Sequence, residues 1–232
     1  MKAKQGASTF LRHMVRWMAL VNLWLAASVG GAMAADEAAP VRIVAFGDSL
    51  TAGYMLAPSE AFPEQLAKAL KAKGHAVEIA NAGVSGDTTA AGLERFDWAI
   101  PEGTEAVIVE LGANDALRGI DPDVTRANLD TILTKIRGRN IDVLIAGMRA
   151  PKNYGKDYEV RYESIFSDLA EKHGALLYPF FLEGVAMDAK LNMQDGLHPT
   201  GPGVGVIVEG ILHKVEELIG RVRERRTDAS KS

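Results

Sequence analysis

The 232-residue sequence contains no cysteine. Disulfides, cysteine-ligated zinc and a cysteine nucleophile are therefore excluded. Internal repeats, low-complexity tracts and long linkers are also absent. Positive charge is in the minority, with 26 Lys and Arg against 30 Asp and Glu and a net charge of −4. An acidic chain is a poor match for nucleic acid or an anionic membrane surface, so no nucleic-acid partner is expected. The one basic cluster, Arg221 to Arg226 with Glu224 inside it, reads as a solvated helix end. His13, His75, His173 and His213 stand without a companion acidic motif, so no metal site is expected.

What is present is enough apolar material for a sizeable core, 47% of residues, in a chain of one-domain length with an appended segment. That segment is residues 1–35. Lys2, Lys4, Arg12 and Arg16 lead into a nearly apolar Met18–Ala27, broken by Asn22, and small residues follow to Ala32-Met33-Ala34. This is the layout of a secretory signal peptide with an A-x-A site, cleaved after Ala34 or Ala35. The alternative is a membrane anchor, for which the 19 residues between Arg16 and Asp36 are just long enough. Its small-residue, glycine-rich end favours cleavage. The expected location is then periplasmic or secreted, with no stable membrane anchor. Removal takes four basic residues and no acidic ones, leaving a net charge of −8.

From Val41 onward two kinds of segment alternate. Val41–Phe46, Ala76–Ala80, Ala106–Leu111, Asp142–Met148 and Ala175–Pro179 are short and β-rich. Phe62–Lys73, Thr88–Ile100, Val124–Arg137, Asp157–Lys172 and Val204–Arg225 carry helical patterns. In Val124–Arg137 the expected apolar stripe is Val124, Leu129, Ile132, Leu133 and Ile136, entered through Asp121-Pro122 as N-cap and N1. Gly74, Gly138 and Gly174 stand where C-cap glycines do. Strands such as Val107–Val109, apolar at consecutive positions, are buried on both faces. The pattern predicts an α/β fold: a three-layer α/β/α, doubly wound, five-stranded parallel sheet, in one domain over residues 36–232.

In such a sheet the site lies beyond the carboxyl ends of the strands. Four polar segments fall there: Gly47-Asp48-Ser49-Leu50, Asn81 to Asp87, Gly112-Ala113-Asn114-Asp115, and Asp195-Gly196-Leu197-His198-Pro199. Asp195 and His198, three apart, allow the carboxylate to fix the imidazole tautomer and leave the other nitrogen for a nucleophile. Ser49 sits between a strand and a helix, with its N–H near a helix N-terminus. It is outside a G-x-S-x-G elbow, because Thr51 occupies the second glycine position. The N–H groups of Ser49 and Gly83 and the side-chain amide of Asn114 are candidate oxyanion donors. Each of these signals alone has an ordinary structural explanation, as a turn, cap or loop residue; their order and placement carry the reading.

These four blocks resemble those of the GDSL (SGNH) hydrolase family: F-G-D-S-L at 46–50, N-A-G-V-S-G-D-T at 81–88, L-G-A-N-D at 111–115 and D-G-L-H-P at 195–199. The resemblance spans Val41 to about Ile219, and G-D-T-T-A-A-G-L and N-D-A-L-R-G bring it nearest to bacterial periplasmic esterases and thioesterases. Ala113 and Ala116 stand where the family often has glycine, a small-for-small change. The glycine-rich Thr200–Gly205 is expected to loosen the start of the last helix. The resemblance implies a flavodoxin-like SGNH hydrolase fold and a cofactor-free esterase with Ser49 as nucleophile, His198 as base and Asp195 as its partner. It also implies hydrolysis of short-to-medium acyl esters and thioesters through an acyl-serine. Acyl contacts are expected from strand-end loops: Asp48, Tyr54, Met55, Leu56, Met148, Pro151 and Tyr154, with Phe180-Phe181-Leu182 either lining a groove or packing beneath a helix. Three rivals remain: a carbohydrate deacetylase of the same fold; from another class, a non-catalytic or nucleotide-binding module built on Gly83–Thr88; and a dead hydrolase retained as a binding protein, against which the full set of Ser49, Asp195 and His198 speaks. The second lacks G-x-G-x-x-G and G-K-[ST].

Overall fold

Five short runs become five parallel strands, the central ones apolar and buried on both faces and the edge strand β2 largely exposed. The computed structural model describes residues 39–231, so the leader and its cleavage site lie outside the described residues. The strands are β1 (Val41–Gly47), β2 (Val77–Gly83), β3 (Ala106–Glu110), β4 (Asp142–Ala146) and β5 (Leu176–Tyr178), in the order β2-β1-β3-β4-β5. Register runs Val44↔Ala80 and Val44↔Val107 across the centre, then Val107↔Val143 and Leu144↔Leu176. All five residues of β3 are buried.

The helices are α1 (Ser49–Ala52), α2 (Phe62–Ala72), α3 (Thr89–Glu94), α4 (Phe96–Ala99), α5 (Ala113–Leu117), α6 (Pro122–Gly138), α7 (Lys156–His173) and α8 (Gly201–Lys231). Helices α2 and α8 pack together on one face, and α3, α6 and α7 on the other. Chain order reverses between β1 and β3, so their carboxyl ends flank a crevice where side chains from both halves meet.

Several local expectations shift. The helix expected over Thr88–Ile100 breaks at Arg95, the C-cap of α3 and N-cap of α4. The buried stripe of α6 is Thr125, Leu129, Ile132, Leu133 and Ile136, and Val124 is half exposed. The reason is spacing: position 125 precedes 129 by one turn, whereas 124 points off the stripe. Gly138 is the last helical residue of α6, and the left-handed position after it belongs to Asn140, φ 56°. The glycines at the start of α8 do not loosen it. A Cβ on Gly203 would stand 2.2 Å from the Leu191 carbonyl oxygen, so glycine there permits close packing. Nor is the basic end of α8 simply solvated. Arg226 grips both carboxylate oxygens of Glu105 at 2.6–2.7 Å, and Arg225 bonds Asp142 at 3.1 Å, tying the helix to the starts of β3 and β4.

Candidate active site

β1 delivers the first segment. After Gly47 the chain turns directly into α1, with Asp48 as N-cap accepting the Leu50 N–H at 3.0 Å and Ser49 as the first helical residue. That position has no intrahelical acceptor for its own N–H, which therefore points outward as a donor. Gly47 has a packing reason: a Cβ there would lie 2.1 Å from Thr51 Oγ1 and 2.6 Å from a Glu110 carboxylate oxygen. Gly83, at the end of β2, is as constrained, since a Cβ would stand 2.3 Å from the Ala52 nitrogen. Only glycine lets β2 end against α1.

Two side chains lock these ends together. The Arg95 guanidinium donates to Asp87 Oδ2 at 2.5 Å, to the Ala82 carbonyl at 2.9 Å and to the Gly47 carbonyl at 2.8 Å, and lies over the Phe46 ring. Asp115, buried at the end of the third segment, accepts the N–H and hydroxyl of Thr89 at 2.8 and 2.5 Å. Neither role was read from the sequence, because each joins residues far apart in the chain through groups that no local pattern marks.

The fourth segment arrives from the loop before α8. Asp195 Oδ1 accepts the N–H groups of Leu197 and His198, and its Oδ2 meets His198 Nδ1 at 2.7 Å. The His198 and Leu197 N–H groups, helped by the imidazole, hold the Asp195 carboxyl down to about 2, so it stays ionised at any ordinary working pH. The other imidazole nitrogen, Nε2, lies 3.0 Å from Ser49 Oγ. One chain of hydrogen bonds thus runs from carboxylate to imidazole to hydroxyl. The Tyr54 ring packs against the imidazole, centroids 4.5 Å apart.

Asn114 sits in the first turn of α5, its amide nitrogen donating to Asp48 Oδ2 at 3.0 Å and to the Asp87 carbonyl at 2.9 Å. Both protons of that nitrogen are committed, so a developing oxyanion has to draw one of them away or share it. Gly83 N–H is similarly held by Asn81 Oδ1 at 3.0 Å.

Ser49, Asn114 and His198 open onto a cleft of about 400 Å³, within the range of small-molecule sites. Its walls are mostly apolar, including Leu50, Leu117, Met148, Pro151, Phe180 and Leu182. Phe181, between the last two, is fully buried in the core against Phe62. Of the loop residues expected to contact substrate, Met148 and Pro151 line this cleft and five do not. Asp48 is wholly buried beneath the turn. Tyr54 is spent on the histidine ring, and Met55 projects outward at φ 56°, 79% exposed. Leu56 packs on the core. Tyr154 donates its hydroxyl to the Leu117 carbonyl and covers Gly119. These placements follow from contacts distant in the sequence, such as Tyr154 with Leu117, which proximity to Ser49 does not reveal. The lining residues Ala186, Met187 and Leu197 come from the β5–α8 loop instead. Their signal in the sequence was only their nearness to Asp195. Among the described residues no cluster of His, Asp or Glu is placed to hold a metal ion.

Burial pushes the Asp48 carboxyl up from 3.8 to about 6, against the opposing pull of the Leu50 N–H and the Asn114 amide. The native state therefore holds this proton longer than the unfolded chain as pH rises. Its contribution to stability is present at low pH, falls as pH rises through the range up to about 6, and stays lower above. Asp48→Asn is expected to remove that part of the decline in a pH series of denaturant melts. It also turns an NH2 toward Asn114, with kcat reduced about 10–100-fold. An unchanged stability slope from pH 4 to 6 would refute the assignment.

A hydroxyl bonded to an imidazole that is bonded to a carboxylate, at the switch point of a doubly wound sheet, defines a serine hydrolase. The chain belongs to the GDSL-like lipase/acylhydrolase family, whose pattern matches residues 45–205, and it is a serine ester hydrolase. It is 39% identical over 168 residues to an arylesterase of Vibrio mimicus, covering 72% of this chain and 84% of that one. It is 33% identical over 183 residues to thioesterase 1/protease 1/lysophospholipase L1 of Escherichia coli K12, covering 78% and 86%. The crystal structure of AlinE4, an SGNH-hydrolase family esterase, superposes with a TM-score of 0.66 at 46% identity, covering 77% of this chain and 96% of that one.

Proposed function

We propose that Ser49 is the nucleophile, His198 its general base and Asp195 the group that orients and charges the imidazole. The Ser49 and Gly83 N–H groups and the Asn114 amide are the oxyanion donors, and the substrate is a short-to-medium acyl ester or thioester. The observation that carries this is the continuous Asp195–His198–Ser49 hydrogen-bond chain, 2.7 and 3.0 Å, at the mouth of an apolar cleft.

In the forward step Ser49 Oγ adds to the acyl carbon while Nε2 of His198 takes its proton. The imidazolium is stabilised by Asp195, and the oxyanion faces the three donors. His198 then gives the proton to the departing alkoxide or thiolate, leaving an acyl-serine. Water deprotonated by the same nitrogen repeats the sequence and frees the acid. The acyl chain lies between Leu117, Met148, Pro151 and Phe180, where each buried methylene contributes about 0.8 kcal/mol.

Aryl esters and acyl thioesters both suit this arrangement, in keeping with the arylesterase and thioesterase names of the relatives. Residues 1–35 would export the chain to the periplasm or beyond. Among the described residues no helix is long and apolar enough to cross a membrane. A chain-length series of nitrophenyl esters is expected to give the highest kcat/KM between C4 and C8. A marked preference for acetylated sugars would replace this reading with the deacetylase.

A further inference from the structure

Beneath the nucleophile turn lies an acid that the proposed reaction does not use. Glu110, the last residue of β3, is wholly buried. Its Oε2 accepts the Thr51 hydroxyl at 2.7 Å and the Asp48 N–H at 3.3 Å, so it fastens both sides of Ser49. Its Oε1 is buried with no hydrogen-bond partner. Among the described residues no cation bonds this carboxyl. The titratable groups that act on it are Asp48 after β1 and Tyr162 on α7, and the cationic groups nearest the Ser49 turn, Arg95 and His198, are engaged elsewhere. Arg95 spends its donors on Asp87, Ala82 and Gly47, and His198 bonds Asp195 and Ser49. Tyr162 has a buried hydroxyl with no partner of its own.

Two buried carboxyls, Asp48 and Glu110, thus share one small space without a counter-ion. A buried carboxylate with a bare oxygen is far costlier than the neutral acid, and two like charges so close cannot both ionise. Of the pair, Asp48 is the one fit to be charged, because it accepts from the Leu50 N–H and the Asn114 amide on different oxygens.

We propose that Glu110 is a positioning residue that works as a neutral, proton-bearing acid, leaving Asp48 the single negative charge beneath the oxyanion donors. Burial, and then the Asp48 charge, push the Glu110 carboxyl well above its ordinary range. The neutral carboxyl still accepts from Thr51 and Asp48 through its carbonyl oxygen, holding the turn. Losing its proton at alkaline pH places a second negative charge under the position where the oxyanion forms, and catalysis weakens. This rests on the oxyanion assignment made above.

Infrared spectroscopy tests the proton directly. At pH 8 the protein should show a protonated-carboxyl C=O stretch that moves when glutamate, and not aspartate, carries a 13C carboxyl, and that is missing from Glu110→Gln. Absence of the band at pH 8, or a band insensitive to the glutamate label, overturns the proposal without needing any variant to fold. In kinetics, Glu110→Gln should keep kcat at pH 7 within about threefold and lose the alkaline decline. Glu110→Ala, which removes the acceptor as well, should lose at least about tenfold in kcat with KM changed less than about twofold. An alkaline decline that persists in Glu110→Gln also overturns it. Failure of the nucleophile assignment shows up separately, as labelling of the enzyme by a fluorophosphonate when Ser49 is absent.

Discussion

Ser49→Ala should lose turnover by about 10⁵–10⁶-fold and all covalent labelling by a fluorophosphonate, with the fold intact. The size follows from position. Ser49 Oγ has a single side-chain partner, His198 Nε2, so its removal deletes the reacting atom and one hydrogen bond, worth about 1 kcal/mol of stability. The backbone of the turn is held by other means: the Asp48 cap, the Arg95 bond to the Gly47 carbonyl and the Glu110 bonds to Asp48 and Thr51. Alanine keeps the N–H that faces the oxyanion, so a small residual rate should survive. Circular dichroism would confirm an unchanged melt within a few degrees. Retained labelling would point to another nucleophile.

His198→Ala should cost a similar factor, about 10⁵-fold in kcat, and the double variant with Ser49→Ala little more than either single one. Serine and histidine act as one unit, so removing the base strands the hydroxyl with its proton. Asp195→Asn should cost less, about 10³–10⁴-fold, because a neutral partner still accepts at one oxygen yet no longer stabilises the imidazolium. Since Asp195 stays charged down to about pH 2, its own titration should not appear in the working pH range. Additive losses in the double variant would mean that Ser49 and His198 act in separate steps.

The fold was legible because it rests on short-range signals, and so was the approach of Asp195 to His198 within the proposed trio. Consecutive apolar residues such as Val107–Val109 mark strands buried on two faces, and strand ends mark where polar residues gather. Asp195 and His198 are on one turn, so their bond needs no knowledge of the rest of the chain. The supporting frame was not legible. Arg95 looks like an ordinary helical arginine until Gly47, Ala82 and Asp87 surround it. Asp48 was read as a substrate contact for its place beside Ser49, but the turn rolls its carboxyl inward to cap a helix and hold Asn114. Glu110 left one trace: a charged residue ending an otherwise apolar strand with both faces covered. The cleft walls depend on how the loops fold, so Tyr54 packs on the imidazole instead of lining the cleft, Met55 points away, and Met187, 95% exposed at φ 68°, joins the rim.

The loop that brings His198 is fastened differently from everything it faces. Between Asp188 and Thr200 its hydrogen bonds, apart from the one to Ser49, are local: Met193 N–H to the His198 carbonyl, Thr200 N–H to the Leu191 carbonyl, and the Asn192 amide to the Val185 and Asp188 carbonyls; its ties to the rest of the fold lie further back, where Phe181 N–H meets the Gly147 carbonyl and the Phe181 ring packs on Phe62. The proposed nucleophile and oxyanion donors, by contrast, are braced to the sheet by Arg95 and to α3 by Asp115. The machine therefore consists of a fixed anvil and a separately hinged hammer. Fluctuations that lift the hammer interrupt proton transfer while the seat for the acyl group keeps its shape, so binding and turnover can drift apart within one intact fold.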